Sequence, residues 1–462
     1  MNKLRKFMLC TAIAAVWIVF APAVVKADVP VDAEHFPDKD FREYISENCD
    51  IDHDDTLSTA EIDGVTSIDL NYWGIGDLKG IDYFTALESL ECSFSALTSL
   101  DVSNNTKLTH LDCNCSWDLA SLNVSNNTKL TFLDCSFNNL TDLDVSSNTS
   151  LEELYCDGNK LTSLDVSKNP ELEYLGCGFN ELTVLDVSKN SSLKGLLCDY
   201  NQLTDLNVGN NTALETLSCS YNDLKNVDVS KNSSLTILGC ESTQLTSLDT
   251  SNNPALVELW CSENELKTLD ISKNPLLEEL CCDGNQLRTL DLSNNPVLQN
   301  LQCQKNQLEN LDIRNNKALT TLRCHENNLN TLDVSNNPDI SELFAWGNKF
   351  NSIDVSAIKM LEYLEYSDMY EGNDGYKITL DLENKLLIYE KLKPNKTIKV
   401  GKKATLKAKK KIAKVESSDE TIVSAKEKGK KVKIKGLKTG TVTVTAYNKN
   451  GEKIKSWIIQ VK

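Results

Sequence analysis

One phrase of 21 residues recurs through most of this chain. It reads L-x-x-L-x-C-x-x-N-x-L-x-x-L-D-V-S-x-N, and its Cys returns every 21 residues, with one interval of 22. The pattern continues over 340–355 with Ala345 in the Cys position, and a looser copy at 65–87 precedes the series. A fixed short period predicts a solenoid in which each repeat packs on its neighbours. The Cys residues of the series are Cys92, Cys113, Cys135, Cys156, Cys177, Cys198, Cys219, Cys240, Cys261, Cys282, Cys303 and Cys324.

The alternation within each copy predicts the secondary structure. Both halves of the phrase alternate Leu with polar residues, as in "LEELYCDGN" and "LTSLDVSKN", which is the period-two mark of a strand with one buried face. Ten residues are too few for a crossover helix, so we expect the halves to stack as two parallel strand columns around one narrow core. With about 4.8 Å between successive copies, some twelve to thirteen copies make a rod roughly 60 Å long.

These half-phrases resemble the core of the leucine-rich repeat, L-x-x-L-x-L-x-x-N, and match it twice in every period. The nested form is similar to the 21-residue leucine-rich repeats of bacteria, and the resemblance covers residues 65–365. It implies a β-rich solenoid, the leucine-rich repeat rod. A fold of this kind supports many functions, so the resemblance leaves the function open.

Three of the repeated residues have a structural interpretation. The Asn of each half, such as Asn159 and Asn169, is predicted to form buried ladders that bond turn backbone. The Asp of the second half, such as Asp165, is interpreted as a cap of a turn, with a ladder of bound cations as the alternative. Cys takes the place of an inward Leu. We therefore predict a column of buried, reduced thiols, whose parallel Cβ vectors disfavour disulfides between copies.

The outward positions of the first half vary from copy to copy and are rich in aromatic side chains. Acidic neighbours such as Glu153, Asp157, Asp199 and Glu258 give the same side a negative character. Large side chains outside the core indicate a contact surface, and rings mixed with carboxylates suit a protein or a carbohydrate. The alternative is that the rings cover turns or pack on each other. The predicted ligand-binding residues are Phe94, Phe132, Phe137, Tyr155, Tyr174, Phe179, Tyr200, Tyr221, Trp260, Phe344 and Trp346.

Residues 50–61, "DIDHDDTLSTAE", resemble an EF-hand or dockerin-type calcium loop. Asp55 stands where that family has Gly for a sharp turn, a departure that lowers the expected affinity. The alternative is an acidic cap that covers the first copy of the repeat. The ligands that the resemblance implies are Asp50, Asp52, Asp54, Thr56 through its backbone carbonyl, Ser58 through a water molecule, and Glu61.

Charge divides the chain into two unequal parts. Residues 391–462 hold 22 Lys and five acidic residues, a formal +17, so the rest must carry −36 to reach the total of −19. The phrases "SSDETIVSA" and "KIKGLKTGTVTVTA" resemble a bacterial immunoglobulin-like domain of the second group, which implies a β-sandwich. Its charge favours an anionic cell-wall polymer as partner, although a merely solvated Lys-rich surface is the alternative. Because aromatic residues are few there, nucleic acid is not expected.

The first residues predict export. Lys3, Arg5 and Lys6 precede an apolar run that ends near Ala27, as in a secretory signal peptide. This run is shorter than the 18 or so residues that a membrane span requires. We therefore expect a secreted or surface protein of a bacterium, with no transmembrane segment after signal removal. The expected units are a signal peptide at 1–27, an N-terminal cap with the calcium-like loop at 28–64, repeats at 65–365, a cap and linker at 366–390, and the immunoglobulin-like domain at 391–462.

The sequence does not predict an enzyme. The four His are far apart, no G-x-S-x-G or Cys-His-Asn set is present, and the Cys spacing is not that of a zinc site. We predict a non-catalytic protein that binds a protein or glycan through its aromatic side. The two alternatives are an envelope spacer with no specific ligand and an accessory protein of glycan degradation.

Overall fold

The computed structural model describes residues 28–359, 376–381, 386–391, 396–408, 411–417, 420–449 and 453–462. The predicted signal peptide at 1–27, Cys10 and the stretch 366–375 of the predicted linker lie outside the described residues. Within those ranges, no helix combines the length and the apolar character that crossing a membrane requires.

An N-terminal cap covers the first turn of the rod. Phe36, Phe41 and Ile45 are fully buried in the same core cluster as the repeats. The Asp38 carboxylate caps the first helix and also accepts a hydrogen bond from Gly76 N (2.9 Å), which ties the cap to the repeats. The elements are the antiparallel strands Val29–Pro30 and Thr56–Leu57, the helices Lys39–Asn48 and Thr59–Gly64, and a 3₁₀ turn at Ile81–Tyr83.

A single parallel sheet of fourteen strands runs the length of the rod and closes about thirteen turns. Each strand has three residues, and the central Leu or Ile is buried while its neighbours face outward. The pairing is in register throughout, so equivalent residues form straight rows. In chain order the strands are Ser67–Asp69, Ser89–Glu91, His110–Asp112, Phe132–Asp134, Glu153–Tyr155, Tyr174–Gly176, Gly195–Leu197, Thr216–Ser218, Ile237–Gly239, Glu258–Trp260, Glu279–Cys281, Asn300–Gln302, Thr321–Arg323 and Glu342–Phe344.

The predicted second strand column is wrong for most turns of the rod. In that half, only Leu100–Asp101 and Leu122–Asn123 pair with each other in parallel. Elsewhere the second half remains irregular, although its Leu and Val are buried. Its turns are closed by local bonds such as that from Asn169 N to Val166 O (3.1 Å), and the paired turns contain the same bond, from Asn105 N to Val102 O (3.0 Å).

The Asn side chains form the predicted buried ladder that bonds turn backbone. Asn148 Nδ2 donates to Val124 O (3.0 Å) and Asn127 O (2.9 Å) of the preceding turn, and the other ladder Asn of this half repeat the arrangement. The Asp165 carboxylate accepts from Ser167 N (2.8 Å), which supports its interpretation as a cap of its own turn. The hydrogen bonds from Ser167 lower the pKa of Asp165.

The Cys column lies in the core between the sheet and this irregular half. All twelve Cys of the series are buried, and the fifteen Cys of the described residues are free thiols. Cys156 Sγ donates to Gly176 O of the next turn (3.4 Å). Burial first, and then the neighbouring thiols, raise the pKa of Cys156 well above the ordinary value. The structure thus agrees with the prediction of small, inert core residues.

Two small sheets around a separate core follow the rod. Val423, Val432, Val444 and Ile459 are buried between them. This arrangement partly suggests the expected sandwich, while the immunoglobulin-like assignment stays a prediction. A hairpin of Tyr376–Asp381 and Leu386–Lys391, joined by Ser352–Asp354, precedes a four-stranded sheet of Lys396–Ile398, Lys453–Val461, Gly440–Tyr447 and Lys414–Ser417 and a three-stranded sheet of Lys403–Lys407, Lys431–Gly436 and Val423–Lys428.

Candidate functional site

The outward residues of the parallel sheet make one surface, here named the strand face. It consists of the first and last residue of each of the fourteen strands. Beside it runs a second row, here named the turn column, which is the residue two positions after each Cys and its equivalents at both ends. The registered pairing aligns both rows along the rod, so a ligand that lies along the rod meets the same positions turn after turn.

Every turn-column residue has a left-handed backbone, with φ between 50° and 73°. This conformation costs a residue with a side chain more than it costs Gly, so a ring at this position needs a compensating contact. Stacking provides one at three consecutive turns, where ring centroids are 4.3 Å apart for Phe179 and Tyr200 and 4.1 Å for Tyr200 and Tyr221. The three rings remain 42–53% exposed, so they present a continuous aromatic strip to solvent.

Three other rings of the turn column, Tyr72, Phe94 and Phe137, lie nearer the N-terminus. Phe94 stacks on Tyr72 with centroids 4.6 Å apart. The Phe137 ring lies over Gly158, where an added Cβ would be 2.5 Å from Cδ1 of that ring. Gly158 therefore leaves the space that the Phe137 ring fills.

Apart from the buried Phe344, the predicted aromatic residues of the strand face are Phe132, Tyr155, Tyr174 and Trp260. Phe132 lies between His110 (centroids 4.2 Å apart) and Tyr155 (5.9 Å). Tyr155 donates from its hydroxyl to Glu153 Oε2 (3.1 Å), and burial followed by this carboxylate raises the pKa of Tyr155 to about 12. Tyr174 is exposed, whereas the other three rings are half-buried. The strand-face rings are therefore concentrated over three consecutive turns, with Trp260 apart from them.

The predicted single surface of eleven aromatic residues needs correction. Four of them are exposed or half-buried on the strand face, and five lie in the turn column, namely Phe94, Phe137, Phe179, Tyr200 and Tyr221. Phe344 and Trp346 are only 8% and 7% exposed. Trp346 packs between His325 (centroids 4.1 Å apart) and Phe344 (5.5 Å), so these two rings belong to the interior of the last turns.

A row of carboxylates lies between the strand face and the turn column. It occupies the residue after Cys on alternate turns: Asp157, Asp199, Glu241 and Asp283. Small residues of the turns between them donate hydrogen bonds, as from Gly178 N to Asp157 Oδ1 (2.8 Å). Burial raises the pKa of Asp157 to about 6. Only Asp157 and Asp199 were among the predicted acidic neighbours, and the row itself was not predicted, although acidic residues recur there every 42 positions.

The calcium-like loop has part of its predicted geometry. Carboxylate oxygens of Asp50, Asp52 and Asp54 lie within 4.8 Å of one another. Asp55 adopts φ 62°, so the sharp turn forms without the Gly of the family. Burial, and then the charges of the neighbouring acids, raise the pKa of Asp52, which is the repulsion that a cation would relieve.

The fourth predicted carboxylate, Glu61, is not part of that group. Glu61 Oε1 accepts from Ile51 N (2.8 Å), and its Oε2 accepts from Ser58 N (2.8 Å). Ser58 caps the helix Thr59–Gly64, and Thr56 bonds Asp54 through both its N–H and its hydroxyl. The Glu61 carboxylate, which an EF-hand would turn toward calcium, is therefore engaged in a capping box with Ser58.

The one adjacent Cys-His pair of the repeats lacks the properties of a nucleophile and base. Cys324 is fully buried, and burial raises its pKa to about 12. Burial, and then the charges of Lys305 and Arg323, lower the pKa of His325 to about 4. Neither group is poised near neutral pH, as general acid-base chemistry requires.

Comparisons with known proteins identify the type of repeat. A family model described as "Leucine Rich repeats (2 copies)" matches residues 128–169. Internalin J of Listeria monocytogenes is 36% identical over 71 residues, which make up 15% of this chain and 8% of that protein. The aligned stretch is thus a small part of the relative's length.

Solved structures extend the likeness to nearly the whole chain. The functional domain of InlJ from Listeria monocytogenes, which includes a cysteine ladder, superposes with a TM-score of 0.66 and 27% identity, covering 95% of this chain and 99% of that one. InlF from the same species has a TM-score of 0.60 and 22% identity, covers 74% and 97%, and shows a likeness of fold alone. These likenesses identify the rod as a leucine-rich repeat solenoid.

Proposed function

We propose that this leucine-rich repeat protein of the bacterial internalin type is an exported surface or secreted protein that binds a protein or a glycan through its strand face and turn column. The likeness to InlJ supports the choice of an interaction role. The signal-like first residues support export. The choice of the strand face and turn column as the ligand-binding surface rests on the side chains of this chain.

The stacked strip of Phe179, Tyr200 and Tyr221 carries the proposal. The backbone of each of these residues has the left-handed conformation that Gly adopts at the same position in other turns. About half of each side chain is exposed to solvent. Stability alone would favour Gly or a small polar residue there, as in Gly284. Exposed rings of fixed geometry beside partly buried carboxylates are suited to a partner that offers apolar and hydrogen-bonding groups together.

Replacing rings of this surface tests the proposal. Tyr155, Tyr174, Tyr200 and Trp260 are changed together to Ala, and binding of the purified protein to host cells, extracellular matrix and glycans is measured. We expect binding to fall at least about tenfold, since buried aromatic anchors dominate contact energies. The matched control changes Val184, Leu276 and Val297 to Ser; these are exposed apolar residues outside the strand face.

The outcome separates the candidate functions. Unchanged binding by the quadruple variant, with a native circular dichroism spectrum, would remove this surface as the site. The absence of any ligand for the wild-type protein would favour the envelope spacer. Stimulation of a glycan-degrading enzyme by the wild type, without binding to cells or matrix, would favour the accessory role.

Calcium binding at residues 50–61 is proposed as a stabilising role of the cap. The convergence of Asp50, Asp52 and Asp54 supports it. These three carboxylates would hold the ion, and Glu61 would join only by giving up one of its capping hydrogen bonds.

Attachment to an anionic cell-wall polymer is proposed for the C-terminal module. The three-stranded sheet aligns exposed Lys across neighbouring strands, with Lys403 opposite Lys435 and Lys426 opposite Lys433. Like charges directly opposite each other are unfavourable without a counter-charge. A polyanion lying across this sheet would supply that charge.

A further inference from the structure

The outer face of the three-stranded sheet in the C-terminal module consists almost entirely of Lys. Along each strand, side chains of the module's core alternate with side chains that point outward. Three outward residues from each of three strands include seven Lys, all exposed, and no acidic residue. This face, here named the cationic sheet, consists of Lys403, Thr405, Lys407, Ser424, Lys426, Lys428, Lys431, Lys433 and Lys435.

The Lys of the cationic sheet are aligned in rows that cross the strands. Lys407, Lys431 and Lys428 are register partners across all three strands. Partners of this kind lie about 5 Å apart, and like charges directly opposite each other are unfavourable unless a counter-charge binds. The ion-paired Lys of the described residues, such as Lys414, lie outside this sheet. The other aligned pairs are Lys403 with Lys435 and Lys426 with Lys433.

The parallel sheet of the rod carries the complementary charge. Of the strand-face residues, two from each of fourteen strands, eight are acidic and Arg323 alone is Arg or Lys. The acids are aligned at the N-terminal end, where the last residues of the first four strands are register partners. The first of them is exposed and the others are half-buried, so a partner can reach all four. They are here named the acidic row: Asp69, Glu91, Asp112 and Asp134.

The acidic row is held in place by neutral donors. Asn71 Nδ2 donates to Glu91 Oε2 (2.7 Å), and Ser93 Oγ donates to Asp112 Oδ1 (2.6 Å). These bonds orient the carboxylates and leave their charges uncompensated. Burial raises the pKa of Asp112, and the charges of Asp134 and Glu91 add to this effect. Cations bound along the row would relieve the repulsion.

The two surfaces also match in spacing, because both are β-sheets. Neighbouring strands of a sheet lie about 4.8 Å apart, so four acids span roughly 14 Å and a row of three Lys spans about 10 Å. Sheets that pack face to face keep their strand directions within about 30° of each other. A row of Lys laid along the acidic row therefore brings successive ammonium groups to successive carboxylates.

We propose that the cationic sheet of one copy of this protein docks on the acidic row of a second copy. The two surfaces differ, so the contact is heterologous and continues head to tail from copy to copy. The proposal goes beyond the ligand-binding role and does not depend on it, because Phe179, Tyr200 and Tyr221 lie on later turns and stay free. A wall polymer would compete for the same Lys. The contact is small, so the association is weak and sensitive to salt.

Sedimentation velocity of the full-length mature protein tests the docking. We expect the sedimentation coefficient to rise with protein concentration at about 20 mM salt, where the Debye length is roughly 20 Å. At about 0.5 M salt, where it is roughly 4 Å, the coefficient is expected to be constant. A coefficient that does not change with concentration at low salt would overturn the proposal.

Two variants neutralise one side of the contact each, and both are expected to sediment as monomers at all concentrations. The module variant changes Lys431, Lys433 and Lys435 to Gln. The row variant changes Asp69, Asp112 and Asp134 to Asn and Glu91 to Gln. Matched controls remove the same numbers of exposed charges elsewhere on the rod and are expected to associate like the wild type; an equal loss in them would overturn the proposal. These controls change Lys168, Lys189 and Lys231 to Gln, or Asp144, Asp165, Asp186 and Asp228 to Asn.

A mixture of the two variants distinguishes docking between copies from docking within one chain. The row variant keeps a cationic sheet and the module variant keeps an acidic row, so the equimolar mixture is expected to form a 1:1 dimer that neither variant forms alone. A mixture that sediments no faster than its separate components would overturn the proposal. If the row variant loses the native circular dichroism spectrum, the module variant and its matched control decide, because the three substituted Lys are exposed.

Discussion

At the scale of single residues, the rod depends on side chains that bond backbone across turns. Asn190 Nδ2 reaches Val166 O (2.9 Å) and Asn169 O (2.8 Å), and equivalent bonds recur along the rod. The Asp157 carboxylate next to the sheet is different, because burial makes its charged form unfavourable. One turn of the rod therefore contains both Asn residues that bond backbone across turns and a candidate-site residue, Asp157, whose charged form is unfavourable.

Asp157 provides a pH-dependent prediction. Its folded pKa, about 6, is above the unfolded value of about 3.9, so its contribution to stability is present below pH 4 and is lost as pH rises through 6. We expect Asp157→Asn to raise the free energy of unfolding by about 1–3 kcal/mol at pH 7.5 and to leave it nearly unchanged at pH 4. Urea unfolding at both values measures this. Asp165→Asn is the control, since hydrogen bonds lower the pKa of Asp165 and the substitution brings no gain. A gain at Asp157 that is equal at both pH values would contradict the prediction.

The Cys column provides a second prediction at this scale. We expect a thiol reagent to label the half-buried Cys115 first and the twelve buried Cys of the series only slowly, because burial both blocks access and suppresses the thiolate. In denaturant without reductant, all fifteen Cys of the described residues react. Fewer than fourteen reactive thiols would show that disulfides form.

At the scale of elements, the alternation of Leu and Cys was sufficient to predict the parallel column of the first half. The second half has a similar alternation and similar burial, yet within the described residues only Leu100–Asp101 and Leu122–Asn123 pair there in parallel. A hydrophobic pattern indicates which side chains are buried and not whether the backbone pairs, so it could not separate the two halves. The turn column was equally hard to predict, because Phe179 and Tyr200 stand where a left-handed backbone favours Gly. Only the Gly of other copies, such as Gly284, indicated that conformation.

The N-terminal cap is the element that carries the calcium prediction. Without a cation, Asp50, Asp52 and Asp54 repel one another, so calcium is expected to raise the melting temperature relative to EDTA. An excess of one hundred times Kd corresponds to about 2.7 kcal/mol of added stability. Asp52→Asn with Asp54→Asn is expected to abolish the shift, while Asp249→Asn with Asp270→Asn, at exposed turn caps of the rod, preserves it. Identical melting curves with calcium and EDTA, with no heat of binding in calorimetry, would exclude the site.

At the scale of the whole molecule, an acidic rod is joined to a strongly basic module. The strand Lys431–Gly436 buries Val432 and Ile434 and exposes Lys431, Lys433 and Lys435, so the module's sheet has one apolar and one cationic face. The two parts of the chain therefore have opposite electrostatic preferences: the rod favours cationic or neutral partners, and the module favours polyanions. A protein of this kind can be held at an anionic envelope by one end while the rod remains free to bind.

Sedimentation with purified cell wall tests whether the basic module, and not the rod, attaches the protein to a polyanion. We expect the full chain to sediment with teichoic acid-bearing wall at low salt and to be released at about 0.5 M salt, where the Debye length is roughly 4 Å. Changing Lys431, Lys433 and Lys435 to Gln is expected to reduce the bound fraction several-fold, because the aligned cations of one sheet act together. Changing Lys168, Lys189 and Lys231 of the rod to Gln removes the same number of charges and is expected to leave sedimentation unchanged. An equal loss in both variants would mean that net charge, and not the cationic sheet, controls attachment.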